Sequence, residues 1–142
     1  DLNFVLIGPG LDDSVNKLRS SDNLFLLGPK KYESLKYYLK HFDVATIPFK
    51  IDRIAHSTSP IKLFEYMAGE KPIVTTEMKE CVRYKGVLIS KDYREYIANI
   101  RKALMLRYDS DYKSILRREA ALNTWSSRID TIIEYLERLP SR

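Results

Sequence analysis

Lys62 and Glu65 stand three residues apart near the start of a stretch, Ser59 to Pro72, that reads as one helix. At that spacing an ammonium and a carboxylate share one face, about 4.5 Å apart in rise. Ser59 can cap the N-terminus, Pro60 suits the first helical position, and Gly69 and Pro72 end the helix. Leu63, Phe64, Met67 and Ala68 mark the face turned to the core. Lys62 is out of place in this scheme. A capping box would put Glu or Gln three residues after the cap, whereas here a cation faces the positive end of the helix dipole. That placement costs a few tenths of a kcal/mol unless an anion is close. Helix N–H groups, the dipole and a Lys together make a phosphate site. A carboxylate one turn further on can take two ribose hydroxyls while Lys62 holds the adjoining diphosphate. The competing reading is a solvent-facing helix with an i,i+3 Lys/Glu contact, and spacing alone does not separate the two.

The elements that must position this helix alternate. Asn3 to Ile7, Leu24 to Leu27, Asp43 to Ile47, Pro72 to Thr75 and Gly86 to Ile89 read as short, buried strands closed by Gly or Pro turns. A short helix is expected near Ser14 to Arg19, and a longer one from Tyr32 to Phe42, with Tyr32, Leu35, Leu39 and Phe42 on its core stripe. Phe49 to Thr58 reads as an irregular loop, and Met78 to Arg83 is ambiguous. Three helices follow. Tyr93 to Leu104 is amphipathic, Tyr112 to Asn123 puts Ile115, Leu116 and Leu122 inward, and a final stripe runs from Trp125 through Ile129, Ile132, Ile133 and Leu136 to Leu139. Strands alternating with helices give an α/β fold: a Rossmann-like, three-layer α/β/α arrangement on a mainly parallel sheet. Such sheets bind ligands beyond the carboxyl ends of their strands. The loops after Gly8, after Gly28 and from Pro48 to Ser59 emerge there, and the third delivers the chain to Lys62.

Composition narrows the classes. The 142 residues fit one domain, and 44% hydrophobic content suffices for a core. A net charge of +5 favours anionic partners such as nucleotides, phosphates or an acidic lipid surface. A single cysteine excludes an internal disulfide framework and fits a reducing, cytoplasmic compartment. No apolar run approaches the roughly 18 residues that span a bilayer. No nucleic-acid-binding motif is present.

The segment Ser59-Pro60-Ile61-Lys62-Leu63-Phe64-Glu65-Tyr66-Met67-Ala68, followed by Lys71-Pro72-Ile73-Val74, resembles a glycosyltransferase signature. It is similar to the C-terminal, nucleotide-sugar-binding half of GT-B fold enzymes of the bacterial polysaccharide-synthesis type (family 4-like, glycosyl transferases group 1). Phe4-Val5-Leu6-Ile7-Gly8, Leu24-Phe25-Leu26-Leu27-Gly28-Pro29 with Tyr32-Glu33-Ser34-Leu35, Phe42 to Phe49, and Thr124-Trp125 agree with that family in order and spacing. The resemblance implies that Lys62 contacts the donor diphosphate and Glu65 the ribose hydroxyls. It implies that Gly28, Pro29 and Lys30 take the base, and that Ser59 and Ile61 offer backbone N–H groups to the phosphates or sugar. It implies a UDP-linked donor, a glycan or lipid-linked acceptor, no metal and no other cofactor. Related retaining enzymes carry a second Glu, eight residues before the ribose Glu, that holds the donor sugar. Ser57 stands there in this chain, and Asp52 and His56 are the nearby candidates to replace it. The Gly that directly precedes Lys-Pro in the family is here Gly69, with Glu70 interposed.

The same resemblance implies that residues 1–142 are one donor-binding domain of a longer enzyme. An upstream first strand and an N-terminal acceptor domain are expected beyond it, with either a gap in the sheet or a compensating strand. Catalysis would then rest on donor placement and electrostatic stabilisation of the leaving diphosphate. A nucleotide-sugar epimerase of the same fold, or a non-catalytic phosphate-binding or interaction module, are the alternatives. Asp109-Ser110-Asp111 matches a metal-binding pattern of another glycosyltransferase fold but falls between helices, where a capped turn is expected. His41 and His56 lack partners at zinc spacing. Cys81 reads as a partly buried thiol without a role. The basic face is expected to allow peripheral contact with the inner face of a membrane.

Overall fold

Short apolar runs bounded by Gly and Pro do form the strands: the first three are narrower than their runs, and the last two keep the expected length one residue further on. The computed structural model describes residues 2–10 and 21–139. The expected helix at Ser14 to Arg19 lies outside the described residues. The chain divides into two compact units, residues 1–38 and 39–142. In the first, β1 (Phe4–Leu6) and β2 (Leu24–Leu26) pair in parallel, with Phe4 opposite Leu24 and Leu6 opposite Leu26. Their carboxyl ends are tied by the Gly8 amide, which donates to the Gly28 carbonyl at 3.1 Å. These strands are not the buried ones expected: Phe4, Leu6 and Phe25 are all exposed. Each strand of a two-stranded ladder has one neighbour, and alternate side chains leave on opposite faces. Helix α1 (Tyr32–His41) opens in this unit and ends in the next. Tyr32 leaves the expected core stripe and is exposed, while Leu35 and Leu39 are half-buried.

The second unit is built on β3 (Ala45–Ile47), β4 (Ile73–Thr76) and β5 (Val87–Ser90), parallel and in the order β3-β4-β5. Ala45 faces Ile73, and Val74 faces Leu88. Among the described residues no ladder joins this sheet to β1–β2. Between β3 and β4 the chain forms α2 (Arg53–His56) and α3 (Ile61–Ala68). After a 3-10 turn (Cys81–Arg83) and β5 come α4 (Tyr93–Leu106), α5 (Ser110–Leu122) and α6 (Trp125–Glu137).

The core lies between the sheet, α3 and α5. Leu63 and Met67 of α3 are buried with Ile47, Ile73, Met78, Cys81, Tyr112 and Leu116. Full burial of one large apolar side chain contributes about 1.5–3 kcal/mol, so this cluster anchors α3. Phe64 is half-buried and meets Tyr84 edge-on at 5.2 Å, and Ala68, expected inside, is exposed. Tyr112 and Leu116 turn inward from α5, whereas Ile115 and Leu122, also expected inside, are exposed. The Tyr112 hydroxyl donates to the Gly86 carbonyl. Helix α4 packs on β4 and β5, with Asn99 donating to the Ile89 carbonyl and the Ser90 hydroxyl at 2.9 Å each. Asp92 and Asp109 cap α4 and α5 by accepting two backbone N–H groups each. The apolar stripe of α6 does not enter the core: Trp125 is 75% and Ile132 58% exposed. No helix among the described residues is long and apolar enough to cross a membrane.

Candidate functional site

The N-terminus of α3 is left without a side-chain cap. Pro60, expected as the first helical residue, holds the N-cap position with extended backbone (φ −74°, ψ 112°). The first turn closes through the Leu63 amide and the Pro60 carbonyl at 2.9 Å. Ser59, expected as the cap, lies one residue too early, and its hydroxyl donates instead to Glu80 Oε1 at 3.3 Å. A helix cannot satisfy its own first N–H groups, so those of Ile61 and Lys62 are presented at the helix end together with the dipole. Lys62 is exposed, and its ammonium stands 5.2 Å over the Phe49 ring, a cation–π contact to the loop after β3. Glu65 is half-buried one turn on. Burial, and after it the Glu65 charge, push the neighbouring Tyr66 phenol up from its ordinary value.

The far end of α3 is reshaped by the displaced glycine. Lys71 N–H donates to the Tyr66 carbonyl and Glu70 N–H to the Met67 carbonyl, both at 3.0 Å, a Schellman closure. Glu70 takes the left-handed position at φ 53°, where glycine is usual, and Gly69 keeps φ −78°. Gly69 is needed for closeness instead: a Cβ there would stand 2.9 Å from Leu39 Cδ2.

The segment before α3 is not wholly irregular, as expected from its sequence, because Asp52 starts a helical turn. Its carboxylate accepts from the Ala55 amide at 2.8 Å and makes it the N-cap of α2. Asp52 is therefore engaged as a cap. Ser57 follows the last residue of α2, and its hydroxyl donates to the Arg53 carbonyl at 3.0 Å. His56 ends α2 with Nδ1 buried and without a hydrogen-bond partner.

A cavity of about 220 Å³ opens here, lined by His56, Ser57, Thr58, Ser59, Lys79, Glu80 and Arg83. Glu80 organises its wall. The carboxylate accepts from the Tyr84 hydroxyl at 2.7 Å, Arg83 Nη1 at 3.1 Å and the Ser59 hydroxyl. Burial would raise its pKa, but the bonds from Tyr84, Arg83 and Ser59 outweigh burial and hold the carboxyl below the usual range. Lys79, Glu80 and Arg83 are additions to the site that sequence reasoning missed. The signal was the charge density of the ambiguous Met78 to Arg83 stretch, and nothing local pointed it at α3.

The second unit therefore brings Ser59, Ile61, Lys62 and Glu65 together on one helix start, with His56 and Ser57 on the adjacent cavity. Gly28, Pro29 and Lys30 belong to the first unit, at the carboxyl end of β2. Gly28 has φ +66° with open space where a Cβ would stand, so its backbone conformation and not crowding calls for glycine. Pro29 and Lys30 are exposed beside it. His41 is exposed in the last turn of α1, Asp109 is the cap of α5, and Cys81 is fully buried, with its thiol pushed up by that burial.

A family model described as Glycosyl transferases group 1 matches residues 1–105, the span that holds both sheets and the whole of this site. The chain belongs to that family. It is also 27% identical over 143 residues to a Bacillus subtilis (strain 168) protein named "Putative teichuronic acid biosynthesis glycosyltransferase TuaH". That alignment covers 95% of this chain and 36% of the relative, so the chain spans about a third of the relative's length. Family membership accords with the α/β fold on parallel strands and with a glycosyltransferase signature at α3.

Proposed function

We propose that this chain is the donor-binding part of a glycosyltransferase that moves a sugar from a nucleoside-diphosphate carrier, UDP-linked, to a glycan or lipid-linked acceptor in polysaccharide biosynthesis. The observation that carries the reading is the uncapped start of α3, with Lys62 in its first turn and Glu65 one turn on, in a chain of this family. Lys62 and the helix N–H groups hold the diphosphate and stabilise the charge that grows on it as the sugar leaves. Glu65 takes the ribose hydroxyls. Gly28, Pro29 and Lys30 take the base. The acceptor and the catalytic base come from outside these residues, and the reaction proceeds without a metal. The protein works in the cytoplasm, with peripheral contact to the inner membrane face through its basic surface. The relative's name, with its teichuronic acid biosynthesis, supports a polysaccharide product. Nothing in the family match favours an epimerase or a non-catalytic module.

Lys62→Ala in the full-length protein tests this reading. Loss of a charge-assisted phosphate contact, worth about 1.5–3 kcal/mol, lowers nucleotide-sugar affinity about ten-fold or more, read by isothermal titration. Unchanged affinity would remove Lys62, and the α3 site with it, from donor binding.

A further inference from the structure

Lys62 stands in the first turn of α3, where the helix dipole repels a cation. An exposed lysine so placed is expected to swing out into solvent. Its ammonium is instead held over the Phe49 ring, 5.2 Å from the centroid. The negative face of an aromatic ring attracts a cation within about 6 Å, and that attraction opposes the repulsion from the dipole. Side chains of a helix lean toward its N-terminus. The contact therefore keeps the ammonium toward the end of α3 whose first N–H groups lack partners within the helix.

The ring is itself held in place. Phe49 follows the last residue of β3 by two positions and packs against the buried cluster that contains Ile47, Leu63 and Met67. Its carbonyl accepts from the Thr76 hydroxyl at 2.8 Å, which ties the loop to the last residue of β4. Phe49 is thus anchored at the carboxyl ends of two neighbouring strands, whereas Lys62 is exposed on a flexible four-carbon stem. A ligand that must order such a stem loses part of its binding free energy to entropy. A ring that orders the stem beforehand removes part of that loss. An ammonium carries three N–H donors, and a ring on one side of it leaves donors for a phosphate on the other. We propose that Phe49 is a positioning residue for the donor, its ring holding the Lys62 ammonium at the start of α3 for the diphosphate. The proposal rests on the donor reading above.

The test is a double-mutant cycle on the full-length protein, read by isothermal titration with UDP and with GDP. Phe49→Leu and Phe49→Met remove the ring and keep an apolar side chain, Phe49→Tyr keeps the ring, and each is also made together with Lys62→Ala. Two ringless variants guard against one of them failing to fold. The expected result is a loss of nucleotide affinity of about two- to five-fold in the ringless variants, the worth of one exposed cation–π contact. Phe49→Tyr restores wild-type affinity. In the Lys62→Ala background the ringless changes have no further effect, because the cation on which the ring acts is gone. An equal loss with and without Lys62 overturns the proposal and leaves Phe49 as packing only. Tighter binding in the ringless variants also overturns it, since the ring would then draw Lys62 away from the phosphates. If Lys62→Ala alone leaves affinity unchanged, the donor reading of α3 fails first and the role of Phe49 falls with it.

Discussion

Replacing Glu80 by Gln tests whether this carboxylate holds the entry to α3. Glu80 accepts three hydrogen bonds, and its side chain is only 16% exposed, whereas that of Arg83 is 69% exposed. The Arg83 ion pair is therefore worth little, about 0–1 kcal/mol. The Tyr84 bond is short and part-buried, and a bond to a charged acceptor contributes about 1.5–3 kcal/mol. A Gln amide keeps one acceptor oxygen and must turn its NH₂ toward either Arg83 or the two hydroxyls. The expected loss is about 2 kcal/mol at pH 7, a lowering of the domain's melting temperature by roughly 5 °C. The pH dependence gives a sharper check. The folded carboxyl lies below its ordinary value of 4.5, so its contribution is present above that value and is lost as pH falls through the folded pKa. The gap between wild type and Glu80→Gln should be full at pH 7 and shrink on acidification below about 4.5. Thermal melts from pH 7 to pH 3 read both terms. A gap that is absent at pH 7, or that persists unchanged into acid, would refute the reasoning.

Gly86→Ala combines a φ of +80° with a Cβ 2.9 Å from Leu116 Cδ2, and the two costs sum to about 2–4 kcal/mol in denaturant unfolding; a loss under about 1 kcal/mol would show that the β5 turn yields freely. The Tyr112 phenol is pushed up to about 12 by burial, so its contribution is complete below the ordinary value of 10.0 and is lost as pH rises through about 12. Tyr112→Phe should therefore show a shallower alkaline loss of stability than wild type between those limits, and parallel curves would contradict the assignment. Glu70→Gly relieves a left-handed residue at φ 53° and forfeits an exposed ion pair to Arg117 at 3.0 Å. The net expectation is a gain of up to about 1 kcal/mol, and a clear loss would mean that the Arg117 pair outweighs the strain.

Strand and helix types were legible because each apolar run is short and the later helices α4, α5 and α6 carry their caps, Asp92, Asp109 and Thr124, just ahead of their apolar stripes. Burial was less so. Periodicity reports which side of an element is apolar, and it does not report whether anything covers that side. Phe4, Leu6 and Phe25 repeat like core residues yet lie exposed, and so does the α6 stripe at Trp125 and Ile132. Asp52 shows a different limit. Phe49 to Thr58 is too short to show a helical period and reads as a loop, but one carboxylate reaching the Ala55 amide suffices to nucleate a turn. The shifted end of α3 was visible as an anomaly in Gly69-Glu70-Lys71-Pro72. Only the backbone shows the outcome, a left-handed Glu70 that frees Gly69 to approach Leu39.

The site itself depends on a contact that no local pattern encodes. Read along the chain, Ser59 is a good N-cap, and a capping hydroxyl would occupy an N–H group of the first turn. Glu80, 21 residues on, draws that hydroxyl away. The consequence is chemical: the helix start keeps its N–H groups and its dipole for an outside anion, and Lys62 no longer stands against an already satisfied terminus. One side chain from the loop after β4 thus accounts for the uncapped start of α3. The donor role proposed for Lys62 and Glu65 rests on that uncapped start, and Glu80 decides whether the start stays uncapped.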